Sequence, residues 1–333
     1  MAERAMKVLA TGASGFVGSH TVAALLADGY DVRATARDAG RVRRALAALG
    51  CADEVEVVEA DVLDERALGR ALAGCGAVVH AAAVYTHDAR QARRVLELNP
   101  LAARNLLRAA ARSDVGRVVY VSSYVALLPS AEPLTRDSPV GRPPTPYARS
   151  KAAADEVARR AQDRGEPVTI VYPGMVWGPH DPGLGESSRL ARDVARGLVP
   201  VGAPGIVPVV DVRDLAQVHA GCVRQRGAPR RYLATGEQLS MRQLLAKIAE
   251  LAGARAPVGT MPPRAFLAAG RAMDVLQRAW PWRLPLNGQA PWTVLNTPDC
   301  DQRATERELG WRSRPVELTL ADTIASLRER GLV

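Results

Sequence analysis

Tyr147 and Lys151 stand four residues apart in Tyr147-Ala148-Arg149-Ser150-Lys151, at the start of an Ala-rich stretch that predicts a helix over 147–164. Residues four apart share one helix face, so the phenol and the ammonium can point into one pocket. A nearby cation stabilises a phenolate and draws its pKa from about 10 toward neutrality, which makes a tyrosine a usable general acid or base. The chain holds seven Tyr and only three Lys, so abundance alone does not explain the pair. A hydroxyl is also at hand. The run Val118-Val119-Tyr120-Val121 reads as a strand and ends in Ser122-Ser123. Ligands of doubly wound folds bind at the carboxyl ends of strands. Ser123 is therefore expected to hold a carbonyl oxygen beside Tyr147, while Ser122 supports the turn.

A second motif, Thr11-Gly12-Ala13-Ser14-Gly15-Phe16-Val17-Gly18, follows the first strand and leads into a helix. Glycines at this spacing let the backbone turn tightly, approach a pyrophosphate and pack helix on strand, with the phosphate at the positive helix N-terminus. Gly12, Ser14, Gly15, Phe16, Val17 and Gly18 are thus expected to bind a dinucleotide. The end of the second strand indicates which one. An NAD site needs an acid there for the ribose hydroxyls, but Arg37 follows Ala36, and an arginine accommodates a 2′-phosphate. Arg41, Arg44 and the Ser14 hydroxyl could add to that site. With 41 of the 44 basic residues being Arg, the missing acid weighs more than the present base. The expectation is NADP(H) in preference to NAD(H).

These groups need a scaffold, and the first 125 residues supply one by alternating short β-branched runs with longer Ala/Leu/Arg stretches. Strands are expected at 7–10, 31–36, 55–59, 77–80, 117–121 and 168–172. Helices are expected at 17–28, 39–49, 65–73, 90–112 and 147–164. Such alternation means an α/β fold, a doubly wound parallel sheet with helices on both faces. Residues 128–146 carry six prolines and read as a long loop. Beyond Pro173 the chain becomes richer in Pro and Gly, and four of the five Trp lie at 280–311. The reading is a nucleotide-binding domain over 5–173 and 206–236, and a smaller substrate-binding domain over 174–205 and 237–333. Residues 206–225 and the strand near Tyr232 are expected to return to the first sheet.

Composition excludes several classes. The net charge of +9 comes from arginines spread along an Ala-rich chain, with no basic run interleaved with aromatics, so no nucleic-acid partner is expected. No apolar stretch approaches a membrane span and no signal-peptide core precedes the first strand, so a cytoplasmic protein without a membrane partner is expected. Cys51, Cys75, Cys222 and Cys300 are far apart and form no metal or disulfide pattern. No metal is expected. His80, His87, His180 and His219 show neither an acid partner nor ligand spacing and read as structural.

Taken together, the motifs resemble the extended short-chain dehydrogenases/reductases, the group that includes nucleotide-sugar epimerases and dehydratases. The resemblance rests on TGASGFVG at 11–18, Asp61-Val62, His80-Ala81-Ala82-Ala83, Asn99, VSS at 121–123 and YARSK at 147–151. Tyr172-Pro173-Gly174, VDVRDLA at 210–216 and Glu308-Leu309-Gly310-Trp311 continue it in the same order to near the end of the chain. It implies that Asp61 and Val62 contact adenine and that Ala81, Ala82 and Ala83 line the pyrophosphate and nicotinamide ribose. It further implies that Lys151 holds the ribose hydroxyls and that Pro173 and Val176 flank the nicotinamide. Asn99 would brace a strand. Hydride would move on the pro-S side, with Tyr147 as proton donor and Ser123 on the same oxygen. Tyr85 and Tyr124 are expected to join Ser123 and Tyr147 around the substrate. By the same analogy the protein would be a homodimer through helices 90–112 and 147–164.

Three branches of that group compete. The 4,6-dehydratases place an Asp-Glu pair after the catalytic hydroxyl residue, where this chain has Tyr124-Val125. The 4-epimerases usually carry the acidic ribose-binding residue that is missing here. The segment Val32-Arg33-Ala34-Thr35-Ala36-Arg37-Asp38 is similar to the dihydroflavonol and cinnamoyl-CoA reductases and related ketone reductases. An NADP(H)-dependent oxidoreductase acting on a small, apolar or aromatic carbonyl or alcohol is the leading expectation, with 4-epimerase as its enzymatic alternative. A non-catalytic NADP-sensing regulator is the alternative of another class, although such proteins typically lose the Tyr or the Lys. The apolar, Trp-bearing stretch 266–291 reads equally as a substrate wall or as ordinary core.

Overall fold

The β-branched runs pair side by side in the computed structural model, which describes residues 5–225, 227–228, 230–279 and 287–333. Strands β1 (Lys7–Thr11), β2 (Asp31–Ala36), β3 (Glu56–Glu59), β4 (Ala77–His80), β5 (Arg117–Val121) and β6 (Val168–Pro173) follow one another along the chain. Three short strands intervene, β7 (Met175–Trp177), β8 (Val201–Gly202) and β9 (Ile206–Asp211), before β10 (Arg231–Ala234). The seven-stranded sheet has the order β3-β2-β1-β4-β5-β6-β10. All its pairings are parallel. Strand order therefore reverses between β1 and β4, which opens a crevice at their carboxyl ends.

Alternation along the strands feeds two cores. Leu9, Val78, Val118 and Tyr120 face helices α3 (Glu65–Leu72), α4 (Ala92–Ala111) and α5 (Pro146–Asp163). Val8, Ala10, Val79 and Val119 face α1 (Phe16–Ala27), α2 (Ala39–Ala47) and α7 (Val212–Arg224). Helix α6 (Glu186–Ala195) belongs to a third core. That core also holds α8 (Met241–Ala252), Phe266 of α9 (Pro263–Ala279), Val294 of α10 (Gln289–Leu295) and α12 (Val316–Glu329). Helix α11 (Arg303–Leu309) lies against β10.

The chain departs from expectation after Pro173. Strand β10 does return to the large sheet beside β6, and α7 packs on α1. Ile206–Asp211 does not: β9 is the centre of a second sheet, parallel to β7 and antiparallel to β11 (Glu237–Ser240). Gly174 is where the paths divide. A Cβ there would lie 2.6 Å from the Thr235 carbonyl oxygen and 2.7 Å from that of Pro208, so only glycine lets the three backbones converge. A two-stranded pair of β8 with β12 (Val258–Thr260) completes the pattern. Within the apolar stretch 266–291, residues 280–286, which include Trp280 and Trp282, lie outside the described residues.

Candidate active site

Pro146 occupies the first turn of α5, where a missing N–H costs nothing, and starts the helix so that Tyr147 and Lys151 lie one turn apart. Strand β5 runs beneath and delivers Ser122 and Ser123 at its carboxyl end. Their hydroxyls part company. Ser122 Oγ donates to Asp155 Oδ1 at 2.8 Å, whereas Ser123 Oγ accepts from Val125 N–H at 3.4 Å and lies near enough to the Tyr147 phenol to lower its pKa. Lys151 is buried, and its Nζ donates to the Val121 carbonyl at 3.0 Å. Burial lowers its pKa to about 8, against the opposing charge of Asp155.

Asp155, a further turn along α5 and fully buried, anchors this corner. Besides Ser122 it accepts from Arg159 Nε at 2.8 Å and from the Tyr172 hydroxyl at 3.1 Å. Burial pushes its carboxyl up, and Arg159 and the two hydroxyls pull it back. Sequence reasoning missed Asp155. The Lys151-x3-Asp155-x3-Arg159 spacing could have signalled one shared helix face.

The phenol itself departs from the expected trend. Burial first, then Tyr124, raises the Tyr147 pKa well above its ordinary value, and nearby Ser123 only partly offsets this. The expected lowering toward neutrality is not seen in this geometry, because desolvation disfavours the charged form. Tyr147 is instead a protonated phenol at neutral pH. Its ring touches two others: Tyr85, half exposed, at 5.0 Å, and His87 at 5.7 Å between ring centres. His87 does have an acid neighbour, contrary to the reading from sequence, since its Nδ1 lies 3.8 Å from Glu186 Oε2. The partner is 99 positions away and only the fold brings it near. Tyr124 is buried, and Thr297 nearby tempers the rise of its pKa. Gln289 of α10 accepts from the Tyr147 backbone N–H at 2.8 Å, tying the C-terminal part to the start of α5.

At the crevice between β1 and β4, Gly12 has φ +73°, and a Cβ on it would lie 2.8 Å from the Ala82 backbone. Gly12 N–H bonds the Thr35 carbonyl at 3.0 Å, and the Gly15 N–H bonds the Gly12 carbonyl at 2.9 Å. The turn that carries Ser14, Phe16 and Val17 is thus pinned to β2, with Gly18 packed under it. This bare backbone cradle at a helix N-terminus fits a dinucleotide pyrophosphate. Ala81, Ala82 and Ala83 form its far wall, held where Thr11 Oγ1 meets the His80 ring at 2.8 Å and the Ala82 N–H at 3.4 Å. His80 is buried against Tyr120, and burial together with Lys151 lowers its pKa to about 3, so it is neutral. Asn99 donates to the Val84 carbonyl and to Ser150 Oγ and accepts from Val84 N–H, which braces the strand exit.

Arg37 follows β2, Arg41 lies in the first turn of α2 and Arg44 in its last turn, and all three are exposed. The adjacent Asp38 spends its carboxylate on capping α2, accepting from Arg41 N–H at 3.0 Å. Asp61 similarly accepts from Leu63 N–H at 3.0 Å, and Val62 packs half-buried on the core. Asn105 of α4, not singled out by sequence, steadies that loop through the Leu63 carbonyl at 2.9 Å. Pro173 is buried at the end of β6 and Val176 is half-buried in β7. Among the described residues no three His, Cys, Asp or Glu side chains gather as a metal site. Nor is any described helix long and apolar enough to cross a membrane.

The sequence pattern of the NAD dependent epimerase/dehydratase family matches residues 8–233. The chain is 32% identical to the sterol demethylase protein B of Methylococcus capsulatus, over 98% of this chain and 100% of that protein. It is 34% identical to cinnamoyl-CoA reductase 1 of Oryza sativa subsp. japonica, over 73% of this chain and 75% of that one. Among solved structures it resembles a double mutant of a dTDP-glucose 4,6-dehydratase from Streptomyces venezuelae with NAD bound. The TM-score is 0.76 and the identity 26%, over 98% of each chain.

Proposed function

Because the chain belongs to the NAD dependent epimerase/dehydratase family, the extended short-chain dehydrogenases/reductases, whose members bind NAD(P)-type cofactors, we propose that it is an NADP(H)-dependent ketone or aldehyde reductase. The observation that carries this reading is the placement of half-buried Tyr147 and buried Lys151 one turn apart on α5, beside Ser123 at the carboxyl end of β5. A carbonyl being reduced becomes an alkoxide, a far stronger base than a phenolate. A phenol kept neutral by its surroundings is the proton donor that step needs. Hydride is the chemistry the dinucleotide supplies when bound.

The chain's own groups do the rest. Ser123 and Tyr147 grip the carbonyl oxygen, and Tyr147 passes its proton to the alkoxide. Lys151, one turn along α5, places a cation near the phenolate left behind and donates to the ribose hydroxyls. Gly12, Ser14, Gly15, Phe16, Val17 and Gly18 hold the pyrophosphate, with Ala81, Ala82 and Ala83 opposite. Asp61 and Val62 take the adenine, and Pro173 and Val176 the nicotinamide. Arg37, with Arg41 and Arg44, receives the 2′-phosphate.

Tyr85 and Tyr124 line the substrate side. An apolar or aromatic carbonyl compound fits them, and the related proteins named for a sterol and for cinnamoyl-CoA agree with such a preference. In this reading residues 5–173 and 206–236 are the nucleotide-binding domain, 174–205 and 237–333 the substrate-binding domain, and α4 with α5 the contact of a homodimer. The test is NADPH oxidation with a panel of aryl ketones and aldehydes. Conversion of a nucleotide sugar alone, without net NADPH consumption, would overturn the reading in favour of epimerisation.

A further inference from the structure

Helix α9 packs with one side only. Phe266, Gly270, Asp274 and Gln277, at i, i+4, i+8 and i+11, share a face, and of these Phe266, Gly270 and Gln277 are buried. A Cβ on Gly270 would lie 2.8 Å from the Asn287 carbonyl oxygen, and Asp274 accepts from Gly288 N–H at 2.9 Å. This face therefore rests on the segment whose Gln289 holds the Tyr147 N–H. The opposite face carries Ala265, Ala268, Ala272, Val275 and Leu276, all exposed, with Val275 at 65% and Leu276 at 56%. Beside that stripe run Arg264, Arg271 and Arg278, seven residues apart and also exposed. At 1.5 Å per residue they form a row with steps of about 10 Å. Among the described residues none of the three has a hydrogen-bond or ion-pair partner. Surface arginines elsewhere are answered by carboxylates one turn away, as Arg93 is by Glu97 and Arg160 by Glu156. Residues 253–279 instead hold four arginines and a single acid, Asp274, which is turned inward. The apolar exposure continues at the foot of the helix, where β12 ends two residues before α9. Val258 there is 80% exposed, and Val201 of its partner strand 43%.

We propose that the outer face of α9 docks the protein on an anionic lipid bilayer, lying in the headgroup region without crossing it. This departs from the expectation of no membrane partner, since a helix lying on a surface needs no span. Surfaces of other chemistry fit less well. A second copy set against this face would bring positive charge to positive charge. A nucleic acid would engage the arginines and leave Val275 and Leu276 against phosphate, with no apolar partner. A bilayer with acidic headgroups supplies phosphates to the row and an acyl boundary to the stripe together. Docking does not depend on the reductase reading, because it concerns binding and not turnover.

The test is flotation of the full chain with phosphatidylcholine vesicles and with vesicles that also contain phosphatidylglycerol, at low and at physiological salt. Binding to the anionic vesicles is expected to be at least about 10-fold tighter, and to weaken as salt screens it. The triple variant Arg264→Gln, Arg271→Gln, Arg278→Gln should lose about 100-fold, each arginine near an acidic surface contributing about fivefold. Arg264→Lys, Arg271→Lys and Arg278→Lys together should retain most of the binding. Val275→Ser with Leu276→Ser should weaken it by about 10-fold. A control with the same change in net charge at exposed positions elsewhere, Arg66→Gln, Arg70→Gln and Arg242→Gln, should stay within about threefold of the parent. All these side chains are exposed, so the thermal midpoint should hold in every variant. No preference for the anionic vesicles, or equal losses in the control and the α9 triple variant, overturns the proposal. So does a change of oligomeric state in the α9 variant with vesicle binding unchanged, which would make the face a contact between copies.

Discussion

Two corners of the same sheet edge are built in opposite ways. At β5 and α5 the functional groups are buried and paired across the fold: Ser122 with Asp155, Lys151 with the Val121 carbonyl, Arg159 with Asp155 and Tyr172. At the end of β2, Arg37, Arg41 and Arg44 are exposed, and so are the hydrogen bonds that shape the corner, from Arg41 N–H to Asp38 and from Ala39 N–H to Glu59. The first corner has its geometry before any ligand arrives, which is what proton transfer requires. The second leaves its charges in water, where they cost the fold nothing and act once a phosphate is among them. Substitutions in the first should therefore reach rate and stability together, and those in the second cofactor choice alone.

The strongest break is Tyr147→Phe, which removes the proton donor. Turnover should fall by about 10²- to 10⁴-fold, while dinucleotide binding by calorimetry stays as in the parent; full activity would end the assignment. Next comes Asp155→Ala, which leaves Arg159 half-buried without its carboxylate. A loss of about 3–5 kcal/mol in a denaturant titration is expected, and a loss below about 1 kcal/mol would show that the corner is not held by this network. At the open corner, Arg37→Asp should shift the NADPH-to-NADH affinity ratio by about 10-fold or more toward NADH. The thermal midpoint should not move. Equal affinity of the parent protein for the two cofactors, by fluorescence titration, would count against the 2′-phosphate site.

The smallest effect sharpens the contrast through pH. Burial holds the Lys151 ammonium near a pKa of about 8, so its charge is present below that value and is lost as pH rises through it. Reduction should decline on that alkaline limb. Asp155 raises the Lys151 pKa, so Asp155→Asn should move the limb to lower pH, whereas Arg37→Asp should leave it where it is. A limb that stays in place in Asp155→Asn would mean that Asp155 does not tune Lys151.

Much of this was legible in the sequence because it is local. Alternating β-branched runs and Ala/Leu/Arg stretches marked the strands and helices of the large sheet to within a residue or two at most ends. The glycine loop needed only its place between a strand and a helix, and Tyr147 and Lys151 share a face by helix geometry alone. The tertiary structure decided what depends on distant segments. Asp155 matters because β5 and β6 bring Ser122 and Tyr172 to it. His87 acquires Glu186 only when α6 folds back, and Gln289 reaches Tyr147 from across the chain. Strand β9 leaves the large sheet because β6, β9 and β10 converge at Gly174, a crowding no periodicity encodes. The direction of the Tyr147 pKa follows from the same cause: motif spacing places a cation near the phenol, whereas packing sets how much water is left around it, and desolvation proved the larger effect.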